Sequence, residues 1–105
     1  RKRFNFEKMN LTGKALEDFL THKNIDECVF AMLDKNWQYA DVIEWMDSVG
    51  IYVTISKVKE YWMYNIEFEG ERIFISAFET MQDSRQESTE KAIEKANELY
   101  NDKFK

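Results

Sequence analysis

The sequence predicts an α+β fold: a three-stranded antiparallel sheet with helices packed on it, in the order (α)α-β-β-β-α. Three observations carry the prediction. Residues 51–77 alternate apolar and polar side chains over stretches of strand length. Gly70 lies between the second and third stretches, where a tight turn needs a residue that accepts positive φ. On either side, residues 38–48 and 83–105 repeat apolar side chains at three- and four-residue spacing, as amphipathic helices do.

At 105 residues, 44% apolar and 15% aromatic, the chain is long and apolar enough for one modest core. A single domain over residues 1–105 is expected. Within it, residues 1–36 read as a helical N-terminal extension and residues 37–105 as the α-β-β-β-α unit.

The elements follow in order. Phe4 and Phe6 alternate with polar residues in a short strand-like run. In LTGKALEDFL, Ala15, Leu16, Phe19 and Leu20 form one apolar stripe behind Thr12, a residue type that caps helix starts. A helix over 12–22 is predicted, closing at His22 and Lys23, where cations suit the negative end of the helix dipole. IDECVFAML places Ile25, Cys28, Val29, Met32 and Leu33 on one helical face, so a second helix over 26–34 is predicted with that face inward and Cys28 buried. DKNWQ reads as a connection.

A third helix over 38–48 carries Tyr39, Val42, Ile43, Met46 and Val49 inward, with Trp45 on the flank. Gly50 stands where a left-handed C-terminal cap is wanted. The first strand, IYVTISK, leads through a loop to the second, YWMYNIEFE. Glu69-Gly70 or Gly70-Glu71 turns the chain into a third strand, RIFISAF. ETMQD is read as a loop. The last helix opens on Ser84 followed by Glu87, the spacing of a capping box. Its inward stripe is Ala92, Ile93, Ala96, Leu99 and Tyr100.

Period-two alternation assigns Ile51, Val53, Ile55, Trp62, Tyr64, Ile66, Ile73 and Ile75 to the core face of the sheet. The other face then carries Tyr52, Tyr61, Met63, Phe74 and Phe78 among Thr54, Ser56, Asn65 and Arg72. That is too aromatic for an ordinary wet sheet face. Either residues 1–36 or a second copy cover it, or it is open and binds a partner. Tyr52, Tyr61, Met63, Arg72, Phe74 and Phe78 are the candidate partner-binding residues.

Charge narrows the function classes. The net charge is −5, divided as +3 over residues 1–9, −5 over 10–56 and −3 over 57–105. An acidic body argues against a broad phosphate-binding face, so nucleic acid is not the expected partner. Cys28 is the single cysteine, which rules out an intramolecular disulfide and favours a reducing, cytoplasmic setting. No apolar run approaches membrane-spanning length. His22, Cys28, Asp26 and Glu27 lie near one another in sequence, but in no spacing that metal sites use. Nothing selects a catalytic pair among the carboxylates, and no glycine loop of phosphate-binding type occurs. No catalytic, metal or cofactor residues are expected, and the chain is read as not an enzyme.

Two resemblances add to this. The order helix, three antiparallel strands, helix resembles the double-stranded-RNA-binding domain. That family meets phosphates with a lysine cluster at the start of its last helix. Here the turn reads Ser84, Arg85, Gln86, Glu87, Ser88, so the resemblance implies a fold without RNA binding. WMDSVGIYVTI and DSRQESTEKAIEKANELYN are similar to a recurrent pattern in small proteins of phages and prophage-like elements of gut bacteria, over about residues 37–102. Ser88 stands where that pattern usually has alanine. The resemblance implies a genomic setting and no catalytic residues. The function expected is a non-enzymatic binding or accessory protein of a phage or mobile element, in contact with another protein or with itself. The alternative is a nucleic-acid-binding module that stacks bases on the aromatic sheet face.

Overall fold

A computed structural model of the protein describes residues 11–104, so the run around Phe4 and Phe6 lies outside the described residues. The elements run α1 (Gly13–Lys23), α2 (Glu27–Ala31), α3 (Lys35–Ser48), β1 (Ile51–Val58), β2 (Tyr61–Phe68), β3 (Glu71–Arg72), α4 (Ala77–Thr80) and α5 (Arg85–Lys103). The fold is α+β, with an antiparallel sheet in the order β1-β2-β3.

Local chemistry explains most boundaries. Gly50, at φ 88°, takes the chain from α3 into β1 through a conformation that other residues adopt at a cost. β1 and β2 pair without interruption from Ile51↔Phe68 to Val58↔Tyr61. The loop expected between them is therefore a two-residue turn, Lys59-Glu60. Of the two candidate turns at Gly70, Glu69-Gly70 is the one used. Both residues have positive φ, as a type I′ hairpin turn requires. Ser84 caps α5 by accepting from the Glu87 N–H at 3.1 Å.

The helices gather on one face of the sheet. α3 and α5 both pack on β1, α5 also packs on β2, and α1 lies against α3 and α5. Ile51, Tyr64 and Ile66 rise from the sheet to meet Val42 and Met46 of α3 and Ala92, Ile93 and Ala96 of α5. Farther from the sheet, Phe30, Phe19, Trp45 and Tyr100 form a chain of aromatic rings, with centroids 4.9, 5.8 and 5.0 Å apart. This chain joins α2, α1, α3 and α5. Trp45 is therefore buried and central, not on the flank as the stripe predicted, because helices pack against α3 from two sides.

Further expectations are corrected. Most of the expected inward face of α2 points outward: Cys28, Val29, Met32 and Leu33 are exposed, while Ile25, just before the helix, packs partly on the core. The helix has only five residues, and its orientation is set by Phe30, whose ring packs edge-on against Phe19. One buried aromatic outweighs several smaller side chains left at the surface. DKNWQ is the first turn of α3, not a connection. Asp34 caps it, accepting from Asn36 N–H at 3.1 Å.

The third strand ends at Arg72. Ile73 makes one more bond, donating its N–H to Ile66 C=O at 2.9 Å. Ser76 then accepts from the Glu79 N–H and starts α4. Ser76 and Glu79 have the same spacing as Ser84 and Glu87, a signal for a helix start that the alternation of RIFISAF masked. In the stretch read as a loop, Gln82 returns to β2 and exchanges two backbone hydrogen bonds of 2.8 Å with Trp62.

Candidate functional site

The register of the sheet assembles the second face. Tyr52, Thr54, Ser56 and Val58 of β1 stand beside Glu67, Asn65, Met63 and Tyr61 of β2, and Arg72 of β3 stands beside Glu67. Among the described residues, no helix covers this face. In particular α1, from the segment expected to fold over it, packs on α5 and α3 on the far side.

Tyr52 is 49% exposed, Tyr61 is exposed, and Met63 is half-buried between its neighbours. Arg72 donates from Nη2 to Asn65 Oδ1 at 2.7 Å. Two shallow depressions meet at this pair. Tyr52, Thr54 and Glu67 border one, and Ile73, Phe74 and Ile75 border the other. Phe74 is 90% exposed at the rim. The arrangement is an anchored guanidinium between two exposed aromatic rings, which suits a partner offering carboxylate or carbonyl oxygens and apolar side chains.

Phe78 does not belong to this face. Because the strand ends early, Phe78 is on α4, 91% exposed, beside Tyr64 and the α5 residues Glu94 and Glu98. The sequence reading also missed an exposed apolar corner where α2 meets α3, formed by Val29, Met32, Leu33 and Trp37. No local signal marks it, since the same residues would read as a buried stripe.

The electrostatics of the open face are mixed. Glu67 stands beside Arg72 in the register, and Glu69 at the turn is paired with Lys103. A carboxylate beside the guanidinium of this face opposes a phosphate backbone.

Elsewhere, two tyrosine–carboxylate contacts clamp the helices. Tyr39 of α3 donates to Glu90 of α5, which Lys35 approaches at 3.4 Å. Burial, then the bond to Glu90, pushes the Tyr39 phenol well above its ordinary range. Burial would raise Glu90, but the hydrogen bonds from Tyr39 and Lys35 outweigh it and hold the carboxyl below its ordinary value. Tyr100 of α5 donates to Asp18 of α1 at 2.6 Å. Its phenol is pushed up to about 12, first by burial. In both pairs the phenol keeps its proton and the carboxylate stays charged through the neutral range. The pairs are built to hold helices together and are poorly matched to trading protons near neutrality.

His22 and Cys28 are both exposed. Among the described residues, no group of three or more His, Cys, Asp or Glu side chains converges as a metal site would require. No described helix is long and apolar enough to cross a membrane. Compared with known proteins, the chain matches no family model, no curated protein and no solved structure.

Proposed function

We propose that this chain is a non-enzymatic binding protein of a phage or mobile element that acts in the cytoplasm by contact with another protein. The contact surface is the open sheet face, with Tyr52, Tyr61, Met63, Arg72 and Phe74 as its working residues. One observation carries the reading: among the described residues the helices pack on a single side of the sheet, leaving Tyr52 and Phe74 exposed around an Arg72 anchored by Asn65. Exposed aromatic and arginine side chains in one patch are what interface centres are made of. The similarity of WMDSVGIYVTI and SRQESTEKAIEKANELYN to small phage-type proteins supports the setting, and the lone cysteine supports the compartment.

Capture from a lysate of the host bacterium tests the surface. The protein retains a specific partner, the Tyr52→Ser/Phe74→Ser double variant loses it, and Met32→Ser at the α2–α3 corner keeps it. Equal retention by the double variant, or no partner at high loading, overturns the proposal. A gel shift with single- and double-stranded RNA and DNA at low salt addresses the nucleic-acid alternative. The Glu67 carboxylate beside Arg72 predicts no shift.

A further inference from the structure

Among the described residues, β1 is an edge strand, paired with β2 alone. Monomeric proteins usually blunt such an edge with proline, a bulge or charge. β1 has none of the first two, since its register is unbroken and the chain contains no proline, and its single charged residue is Lys57, near one end.

The phase of the ladder shows which backbone groups face outward. Trp62 spends both its N–H and its C=O on Gln82, on the far side of β2 from β1. Its partner Lys57 therefore faces it in a non-hydrogen-bonded pair, and alternation extends this to Ile55, Val53 and Ile51. The N–H and C=O groups of these residues point away from β2. Ile51 is fully buried, which leaves residues 53–57 as the open run. Among the described residues, no hydrogen bond from outside the ladder reaches the backbone of Val53, Ile55 or Lys57.

We infer that this edge pairs antiparallel with β1 of a second copy of the chain, about a two-fold axis at Ile55. Three features favour a copy of itself over an unrelated strand. Tyr52 and Val58 are both about half exposed, on the same face and equally far from Ile55. The two-fold sets each against the other in the close, non-hydrogen-bonded pairs, so the contact forms twice and covers both residues in each copy. Thr54 falls against Ser56 of the second copy, and Lys57 falls against Val53, so no like charges meet within the strands. Asp47 precedes β1 at one end while Lys57 and Lys59 stand at the other, and antiparallel pairing brings these unlike ends together. The product is one continuous sheet with the open faces of both copies side by side.

Sedimentation equilibrium tests this at high micromolar concentration, with circular dichroism confirming that each variant is folded. The protein sediments as two chains. Ile55→Pro trims a partly buried side chain but, of the backbone hydrogen-bonding groups, removes only an outward-facing N–H; it leaves the bonds to β2 in place and raises the dissociation constant by at least about a hundredfold. Thr54→Lys/Ser56→Lys and Thr54→Glu/Ser56→Glu each sediment as one chain, and mixing them restores two. Amide exchange protects Val53, Ile55 and Lys57 in the dimer alone. A single-chain mass for the unaltered protein overturns the inference, as does a two-chain mass that survives a folded Ile55→Pro. Tyr52 belongs to both the seam and the open face, but Ile55→Pro acts on the edge and Phe74→Ser on the face, so particle mass and partner capture can fail independently.

Discussion

Asn97 holds Thr12 from both sides of its carboxamide: Oδ1 accepts the Thr12 N–H at 2.9 Å, and Nδ2 donates to Thr12 Oγ1 at 3.1 Å. One turn later on α5, Asn101 accepts the Ala15 N–H at 2.8 Å and donates to Thr12 C=O at 3.0 Å. The start of α1 is thus capped from α5. Thr12 has the backbone conformation of a cap, but its own side chain makes no capping bond.

Replacing these asparagines undocks the first turn of α1. Asn101→Ala leaves the buried Ala15 N–H without its acceptor, and each single alanine variant costs about 1–2 kcal/mol of unfolding free energy. Denaturant unfolding measures it. A loss below a few tenths of a kcal/mol in both variants would mean that water serves these groups equally well.

Ser88 predicts a change of the opposite sign. The residue is fully buried on α5, and its hydroxyl has no hydrogen-bond partner among the described residues. Ser88→Ala removes an unsatisfied polar group, fits the space and favours the helix, raising stability by about 1 kcal/mol. Thermal unfolding reads the gain as a higher Tm.

α2 rests on one side chain. Phe30→Ala empties a site with no solvent access and cuts the aromatic chain at its end, at a cost of about 3–4 kcal/mol. Met32→Ser, at the C-cap of the same short helix but 73% exposed, changes stability by no more than about 0.5 kcal/mol. Similar losses from the two variants would place the wrong residue inward.

The tyrosine clamps set a pH dependence. The hydrogen bond from Tyr100, aided by Lys14, keeps Asp18 below its ordinary 3.8, and Glu90 lies below its ordinary 4.5. A carboxyl depressed in the folded state contributes stability above its ordinary pKa and loses it as pH falls through the depressed value. Tyr100→Phe and Tyr39→Phe therefore lower stability at neutral pH and flatten its decline in acid. Unfolding free energies at about pH 7 and about pH 3 compare the slopes. At the alkaline end, the stability linked to Tyr100 is present below 10.0 and declines as pH rises toward about 12.

Much of the fold was legible residue by residue. Ile51, Tyr64 and Ile66 alternate with polar neighbours and are buried; Ala92, Ile93, Ala96 and Tyr100 recur at helical spacing and are buried too. RIFISAF misled because Ile73 and Ile75 keep strand alternation, and both do pack toward the core, although the ladder has ended. Of the six candidate binding residues, Tyr52, Tyr61, Met63 and Arg72 share the open face and Phe74 stands at its rim. Phe78 left the face with the shortened strand.

The sequence by itself determined that α1, α2, α3 and α5 are helices and β1 and β2 strands, which face of the sheet meets the core, and that the chain turns at Gly70. These follow from side-chain period and backbone φ, which act over a few residues. Only the tertiary structure decided that Phe30 faces inward in place of Val29 and Met32, that Asn97 and Asn101 cap a helix more than eighty residues away, and that α1 packs behind the helices and leaves the second sheet face open. Each of these is a competition between segments remote in sequence for one buried surface or one unpaired N–H. The winner depends on shape and distance, which no local pattern encodes.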